Sequence, residues 1–338
     1  MLLMSCWSRS LLSRFGEPLR TFNSSPRVAR PAKQFGFFLS TTSLPKMSTN
    51  PVFKEGNHAL ITGGASGIGY ALAQKCVGYG MKVLIVDNNS SNLDAAKSAL
   101  NKVRDASATT LQMDVSKLED WDKLKKLVTS DFNDKIDLLA LNAGIGLRGT
   151  WGDVEYFQRT LAVNLFGVIN GLNTFVPLIE KTSTALHPAS VIITGSKQGI
   201  TNPPGNAAYN ASKSAVKTLA EHLSFDLSKS SPSTSVHLLV PGWTFTGLSG
   251  NSPFAKAGEA KEKPKGAWSP DQVVDYLEQK MKEGKFYVIC PDNDVTEELD
   301  KKRMLWGVGD IIEGRPPLTR WREDWKVEAA EKIANTKI

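Results

Sequence analysis

Tyr209 and Lys213 stand four residues apart at the start of an Ala-rich stretch, Tyr209-Asn-Ala-Ser-Lys213, that continues to about Ser228. Residues i and i+4 share one face of a helix, so this spacing predicts an ammonium close to a phenol. A phenol titrates near ~10 in water. A neighbouring cation favours the phenolate and brings the group toward working pH. The two residues are a candidate acid–base couple, although a Tyr and a Lys at this spacing, taken alone, are usually a surface pair.

A second feature suggests what such a couple would serve. His58-Ala-Leu-Ile-Thr62 reads as a buried strand that runs into Gly63-Gly64-Ala65-Ser66-Gly67-Ile68-Gly69 and then into a helix ending at Gly78. Glycines permit a tight turn and let backbone N–H groups approach a pyrophosphate at the positive end of the following helix. The spacing is Gly-x-x-x-Gly-x-Gly, and the strand–turn–helix context is the one such a loop requires. Asp87 ends the next strand, 18 residues after Gly69. A carboxylate there can accept hydrogen bonds from adenosine ribose hydroxyls and would repel a 2′-phosphate. Asn88 and Asn89 follow it and Ser66 precedes Gly67, so no basic residue is placed to receive that phosphate. NAD is therefore the expected cofactor, with NADP less favoured.

These residues need a frame. Short apolar runs recur at 58–62, 82–87, 108–115, 136–141, 190–194, 235–240 and 286–290, separated by amphipathic stretches. Continuous apolar strands alternating with helices imply a parallel sheet covered on both faces. The expectation is an α/β fold, a single doubly wound Rossmann-type domain with a seven-stranded parallel sheet. Ser116-Lys-Leu-Glu119 and Ser269-Pro-Asp-Gln272 both read as capping boxes. Three regions are expected: a basic leader over 1–46, the main domain over 50–290 with both cofactor and substrate sites, and an extension over 291–338.

The chain resembles the short-chain dehydrogenase/reductase family across about residues 55–290. The resemblance rests on Thr62-Gly-Gly-Ala-Ser-Gly-Ile-Gly69, Asp114-Val115, Asn142-Ala-Gly144, Asn164, Ser196, Tyr209-x-x-x-Lys213 and Pro241-Gly242, in that order. It implies a role for each matching residue. Tyr209 would give or take the hydroxyl proton. Lys213 would lower the Tyr209 pKa and hold the nicotinamide ribose. Ser196 would bond the substrate oxygen, and Asn164 would hold a water in a relay to Lys213. Gly63, Ser66, Gly67, Ile68 and Gly69 would meet the diphosphate, and Asp114 and Val115 the adenine. Asn142, Ala143 and Gly144 would line the adenosine and ribose side. Gly242, Thr244 and Thr246 would lie at the carboxamide end. Leu141 and Lys197 depart from the family pattern, and Lys197 would alter the charge of the pocket.

The implied reaction interconverts a secondary alcohol and a ketone. The segment 243–268 would close over the substrate, and Trp243, Phe245, Leu248, Phe254 and Trp268 suit a medium-sized apolar one, if they do not instead anchor the loop to its own core. Lys256, Lys261, Lys263 and Lys265 would stay in water. A non-catalytic NAD-binding sensor is the alternative, disfavoured because Tyr209, Lys213, Ser196 and Asn164 are all present. A serine hydrolase is excluded because Gly195-Ser196-Lys-Gln-Gly199 lacks the Gly-x-Ser-x-Gly elbow. Scattered histidines support no metal site.

The net charge of +7 does not imply a nucleic-acid partner. Six of those charges lie in residues 1–50, where seven basic residues face Glu17 alone. The nearly neutral remainder has no footprint for a phosphate backbone. The leader's Arg- and Ser-rich, acid-poor composition suggests a mitochondrial transit peptide. A start at Met47 would make the protein cytoplasmic. No run of about 18 apolar residues is evident, so no membrane partner is expected. Cys6, Cys76 and Cys290 are too few and too separated for a disulfide framework. The family resemblance implies a homodimer or homotetramer through helices near 117–130 and 155–180.

Overall fold

The computed structural model describes residues 52–249, 251, 254, 261–292 and 294–338. The leader, with Cys6 and Met47, and Lys256 lie outside the described residues.

Seven strands form one parallel sheet: β1 His58–Thr62, β2 Lys82–Asp87, β3 Ala108–Gln112, β4 Leu138–Leu141, β5 Ala189–Thr194, β6 Thr234–Val240 and β7 Tyr287–Ile289. Their order is β3-β2-β1-β4-β5-β6-β7, with every pair parallel. The helices are α1 Gly67–Gly78, α2 Ser90–Val103, α3 Leu118–Phe132, α4 Val154–Leu161, α5 Gly167–Thr182, α6 Gln198–Thr201, α7 Ala207–Ser230, α8 Pro270–Lys282, α9 Glu297–Ile312 and α10 Lys326–Asn335. The doubly wound, seven-stranded expectation holds.

Alternation along each strand builds two cores. Ala59, Ile61, Val83, Ile85 and Leu138 face α1, α2 and α8. Their neighbours Leu60, Leu84, Val86 and Leu139 face α3, α5 and α7. Successive side chains of a strand point to opposite faces, so a sheet with two covered faces needs apolar residues at every position. Trp121 and Phe175 are the bulkiest fully buried residues of the second core. Truncating either to Ala should cost about 3–5 kcal/mol.

The sheet order reverses direction between β1 and β4, and ligands of such folds bind outside the strand ends at that switch. The glycine loop, the loop after β4 and the start of α7 all open there.

Local chemistry shifted some boundaries. The third strand stops at Gln112, short of the expected Val115, because the Asp114 N–H donates to Asp120 Oδ2 at 2.9 Å. The capping box at Ser116 does not form. Its hydroxyl donates to Asp114 Oδ1 at 2.7 Å instead, and α3 begins beyond Lys117 without a side-chain cap. The Ser269 box does form. Ser269 Oγ accepts from Gln272 N at 3.2 Å, and Gln272 Oε1 accepts from Ser269 N at 2.9 Å.

The apolar-run expectation also needs correction. α4 and α5 are joined by a π-helical segment, Ala162–Phe166, into one run, Val154–Thr182, of 29 residues. Its most apolar window has a mean hydropathy of 1.5, long and apolar enough by composition to cross a membrane. In this fold Val168, Phe175 and Ile179 of that run pack into the second core.

Beyond β7 the extension forms a small core of its own, with Trp306, Ala329 and Ile333 buried against Leu299 and Trp325. The Arg315 guanidinium lies 3.7 Å from the Trp306 ring centroid and donates to Trp306 O at 2.7 Å. Cys76 and Cys290 are free and buried, and burial pushes both thiols up, Cys290 to about 12.

Candidate active site

A cleft of about 330 Å³ opens at the carboxyl ends of the strands. Gly63, Ser66, Gly67 and Ile68 form one part of its wall, and Asp87, Asp114 and Val115 another. Asn142, Ala143 and Gly144 continue it toward Tyr209, Lys213 and Thr246. Thirteen of the eighteen residues singled out from the sequence thus line a single cleft. Gly69, Asn164, Ser196, Gly242 and Thr244 are not among its lining residues.

The glycine loop fits a dinucleotide phosphate on steric grounds. A Cβ at Gly69 would lie 2.2 Å from the Gly63 carbonyl oxygen, and one at Gly63 would lie 2.9 Å from Ala143 Cα. Gly63 also adopts φ +62°, which L side chains rarely take. Any side chain at either position would push the loop off the sheet. At the head of α1, Ser66 offers no side-chain cap. The first N–H groups of a helix have no acceptor within it, so here they face the cleft ready for an anion.

Asp87 sits at the far end of the cleft. Its Oδ2 accepts from Ala65 N at 3.3 Å and its Oδ1 from Asn89 N at 3.1 Å. Asn88, Asn89 and Asn92 line the wall beside it, so the local charge is acidic with neutral neighbours. Asn142 acts as a brace. Its amide nitrogen donates to Thr62 O at 3.2 Å and its Oδ1 accepts from Thr194 Oγ1 at 3.1 Å, tying the ends of β1, β4 and β5 together.

At the other end, the first two turns of α7 present Tyr209 and Lys213. The Lys213 Nζ lies 5.7 Å from the Tyr209 ring centroid and donates to Thr194 O at 2.9 Å. Burial depresses this ammonium to about 8. Burial holds the Tyr209 phenol above its ordinary value, and a hydrogen bond with the Ser196 hydroxyl offsets only part of that rise. Ser196, rather than the expected Lys213, is therefore the partner that lowers Tyr209 here. Ser196 is the second residue after β5, and its Oγ accepts from Gln198 N at 3.1 Å.

Asn164 is fully buried in the π-helical segment. Its Oδ1 accepts from Ile145 N at 2.8 Å and its Nδ2 donates to Ile145 O at 3.0 Å. A Cβ on Gly144 would stand 3.3 Å from Asn164 Oδ1 and 3.5 Å from Lys213 Nζ, so these three residues meet at one point. Single π-turns are often found at functional sites, where they re-aim a side chain.

Three expectations change. Gly242 and Thr244 do not face the cleft. Thr244 is buried and its Oγ1 turns back to Gly242 O at 3.3 Å, leaving Pro241, Thr246 and Leu248 as the wall. Lys197 does not charge the pocket, because its ammonium pairs with Asp292 Oδ1 at 2.5 Å and Asp300 Oδ2 at 2.7 Å. Most of the aromatic residues in 243–268 anchor the segment. Phe245 is buried, Phe254 packs edge-on against Tyr70, and Trp268 packs against Tyr276. Leu248 lines the cleft and Trp243 is half exposed. Lys261, Lys263 and Lys265 are exposed as expected, and Lys263 also donates to Ala267 O at 2.6 Å.

Sequence reasoning missed several residues, among them Met113, Val163 and Thr194 on the cleft wall. Tyr156, on α4, is buried, and its hydroxyl accepts from Ala208 N at 3.1 Å and donates to Asn206 Oδ1 at 2.6 Å. Asn206 itself provides no side-chain cap for α7. Tyr156 thus supplies the missing cap one residue before Tyr209. No local pattern signals a cap donated from 52 residues away.

The chain is similar to known proteins. The family model described as short chain dehydrogenase matches residues 57–255. An oxidoreductase of Sarocladium schorii is 34% identical over 167 residues, 49% of this chain and 64% of its own length. A 3-dehydrosphinganine reductase of Arabidopsis thaliana is 30% identical over 263 residues, 75% of this chain and 74% of its own. Among solved structures, a short-chain dehydrogenase/reductase from Burkholderia phymatum in complex with NAD superposes with a TM-score of 0.68 at 25% identity, covering 78% of this chain and 97% of that one.

Proposed function

The chain belongs to the short-chain dehydrogenase family, and from that premise we propose that it is an NAD(H)-dependent oxidoreductase that interconverts a secondary alcohol and a ketone. The observation that carries this reading is the meeting of Tyr209, Ser196 and Lys213 at one end of a cleft whose other end is the glycine loop and Asp87. The reductase name of the Arabidopsis relative and the NAD in the Burkholderia structure support it.

When bound, the nicotinamide supplies or accepts the hydride. The chain's own residues handle the oxygen. The Ser196 hydroxyl bonds the substrate oxygen and fixes its position. The Tyr209 hydroxyl donates its proton to that oxygen in reduction, or takes one in oxidation. Lys213, held by Thr194 O, adds positive charge beside the phenol and offers donors for ribose hydroxyls. Asn164 braces the loop that carries Gly144 and Ile145 against α7. A 2′-phosphate placed beside Asp87 would meet a carboxylate with only asparagines nearby, which favours NAD over NADP. Leu248 on the wall suits a medium-sized apolar substrate.

Turnover of a panel of secondary alcohols and ketones, each with NAD and NADP, tests this function. Tyr209→Phe should lower turnover by about a hundredfold or more while leaving NADH affinity unchanged. NADH binding without turnover of any panel member would instead indicate a sensor. A homodimer or homotetramer is part of the same proposal. The Val154–Thr182 run leaves Phe166 exposed, and neighbouring α7 leaves Phe225 exposed. Light scattering that gives a monomer at micromolar concentration would remove it. The basic leader supports mitochondrial targeting, which a fluorescent fusion with and without residues 1–46 tests.

A further inference from the structure

The residue beside Ser196 does nothing in the chemistry just described, yet its side chain is held by one of the most heavily buried ionic clusters in the described structure. Lys197 keeps 12% of its side-chain exposure, Asp292 13% and Asp300 1%. Arg303 completes the group through Asp300 Oδ1 at 3.2 Å. Both carboxylates lie beyond β7, Asp292 at the start of the extension and Asp300 on the first turn of α9.

Asp292 holds two partners at once. Its Oδ1 meets Lys197, and its Oδ2 accepts from Trp243 N at 2.6 Å. The carboxylate also lies directly on Gly242, where an added Cβ would stand 2.1 Å from Oδ2. Lys197 N donates to Pro241 O at 3.1 Å, so β5 and β6 are joined here by backbone as well. One cluster therefore grips the residue after Ser196 and the two residues after Pro241. These are the two segments that carry the oxygen seat and the wall opposite Tyr209.

We propose that the C-terminal extension is a positioning element of the reaction centre, in which Asp292 and Asp300 fix the spacing between Ser196 and the 241–246 wall through Lys197 and the Trp243 amide. The proposal rests on the oxidoreductase reading for its catalytic consequence and on geometry alone for its structural one. Removing one member of a buried ion pair strands the others, whereas replacing the pair as a unit is often tolerated. Shifts of about 1 Å in a reacting group lower turnover by up to about a hundredfold.

Two variants of the full chain test this. Asp292→Ala severs both grips, and the double variant Lys197→Met with Asp292→Asn removes that charge pair together while leaving Asp300 paired with Arg303. Backbone hydrogen exchange should rise by about tenfold or more at 195–201 and 241–246, with α1 unchanged. Turnover should fall by about tenfold or more, with NADH affinity within about twofold of wild type. Exchange at both segments equal to wild type overturns the proposal. So does a rise shared equally by α1, which marks general destabilisation, and so does loosened exchange with undiminished turnover. If the wild-type protein turns over nothing in the panel, the oxidoreductase reading falls, and hydrogen exchange still decides whether the extension holds the two segments together.

Discussion

The two ends of the cleft are made in different ways. The cofactor end is mostly backbone. It comes from one continuous stretch, Thr62 to Gly69, with Asp87 one strand away. The reaction end is mostly side chain, gathered from the π-segment, the loop after β5, the start of α7 and the loop after β6. A backbone site is fixed by what is missing, namely Cβ atoms at Gly63 and Gly69. A side-chain site is fixed by what surrounds it: Tyr156 at the head of α7, Thr194 under Lys213, and Ile145 on Asn164. Substitutions at the two ends should therefore fail in different ways, binding at one and turnover at the other.

The largest separation should come from Lys213→Met. Turnover should fall about a hundredfold or more with NADH binding weakened far less. Its effect on stability has a definite sign. Burial lowers Lys213 to about 8, so between pH 8 and the free-lysine value near ~10.4 the unfolded chain binds more protons than the folded one. The destabilising contribution of Lys213 is thus full below pH 8 and fades as pH rises through that window. The variant should be more stable than wild type at pH 7 by up to roughly 3 kcal/mol, less the lost hydrogen bond to Thr194. That advantage should disappear by about pH 10.4. Urea unfolding at a series of pH values measures it, and an advantage that grows with pH would contradict the buried-cation assignment.

Gly69→Ala probes the opposite end. Its Cβ would meet a backbone oxygen, which no side-chain rotation can relieve. The expected cost is about 1–3 kcal/mol of stability and about ten- to a hundredfold in NADH affinity. Fluorescence titration would show the loss, and normal affinity would mean that the loop tolerates displacement. Asp87→Ser should be gentler, reducing the preference for NAD over NADP by about tenfold in kcat/KM.

Tyr156→Phe should have the smallest effect. Ala208 N–H and Asn206 Oδ1 lose their partner, at about 1–2 kcal/mol of stability. Turnover should drop only about three- to tenfold, with NADH binding intact. Equal losses at both ends would erase the contrast.

The same contrast explains what was legible in the sequence. The central strands could be read because a sheet buried on both faces leaves no polar position inside Leu60–Ile61 or Leu84–Val86. The glycine loop could be read because its constraint is local. At the reaction end, residue types were recognisable only as a family pattern, and their supports were not. Nothing near Lys197 announces Asp292, 95 residues on, and nothing near Ala208 announces Tyr156. The capping box at Ser116 misled for a related reason: Asp114, two residues earlier, is a better acceptor for that hydroxyl than the helix N-terminus is a donor.

The π-helical segment gives the site an unusual dependence on residue count. Each residue of an α-helix turns the chain by about 100° and advances it about 1.5 Å. A π-turn accommodates one residue more than the α-helical register allows. Deleting Leu165 would regularise the run and leave a better helix. It would also swing α4 about its axis relative to α5, carrying Tyr156 off the head of α7 and Asn164 off Ile145. Chain length at this point is thus itself a functional variable. A one-residue deletion that helix propensity alone would favour would dismantle the reaction end while touching none of its chemical groups.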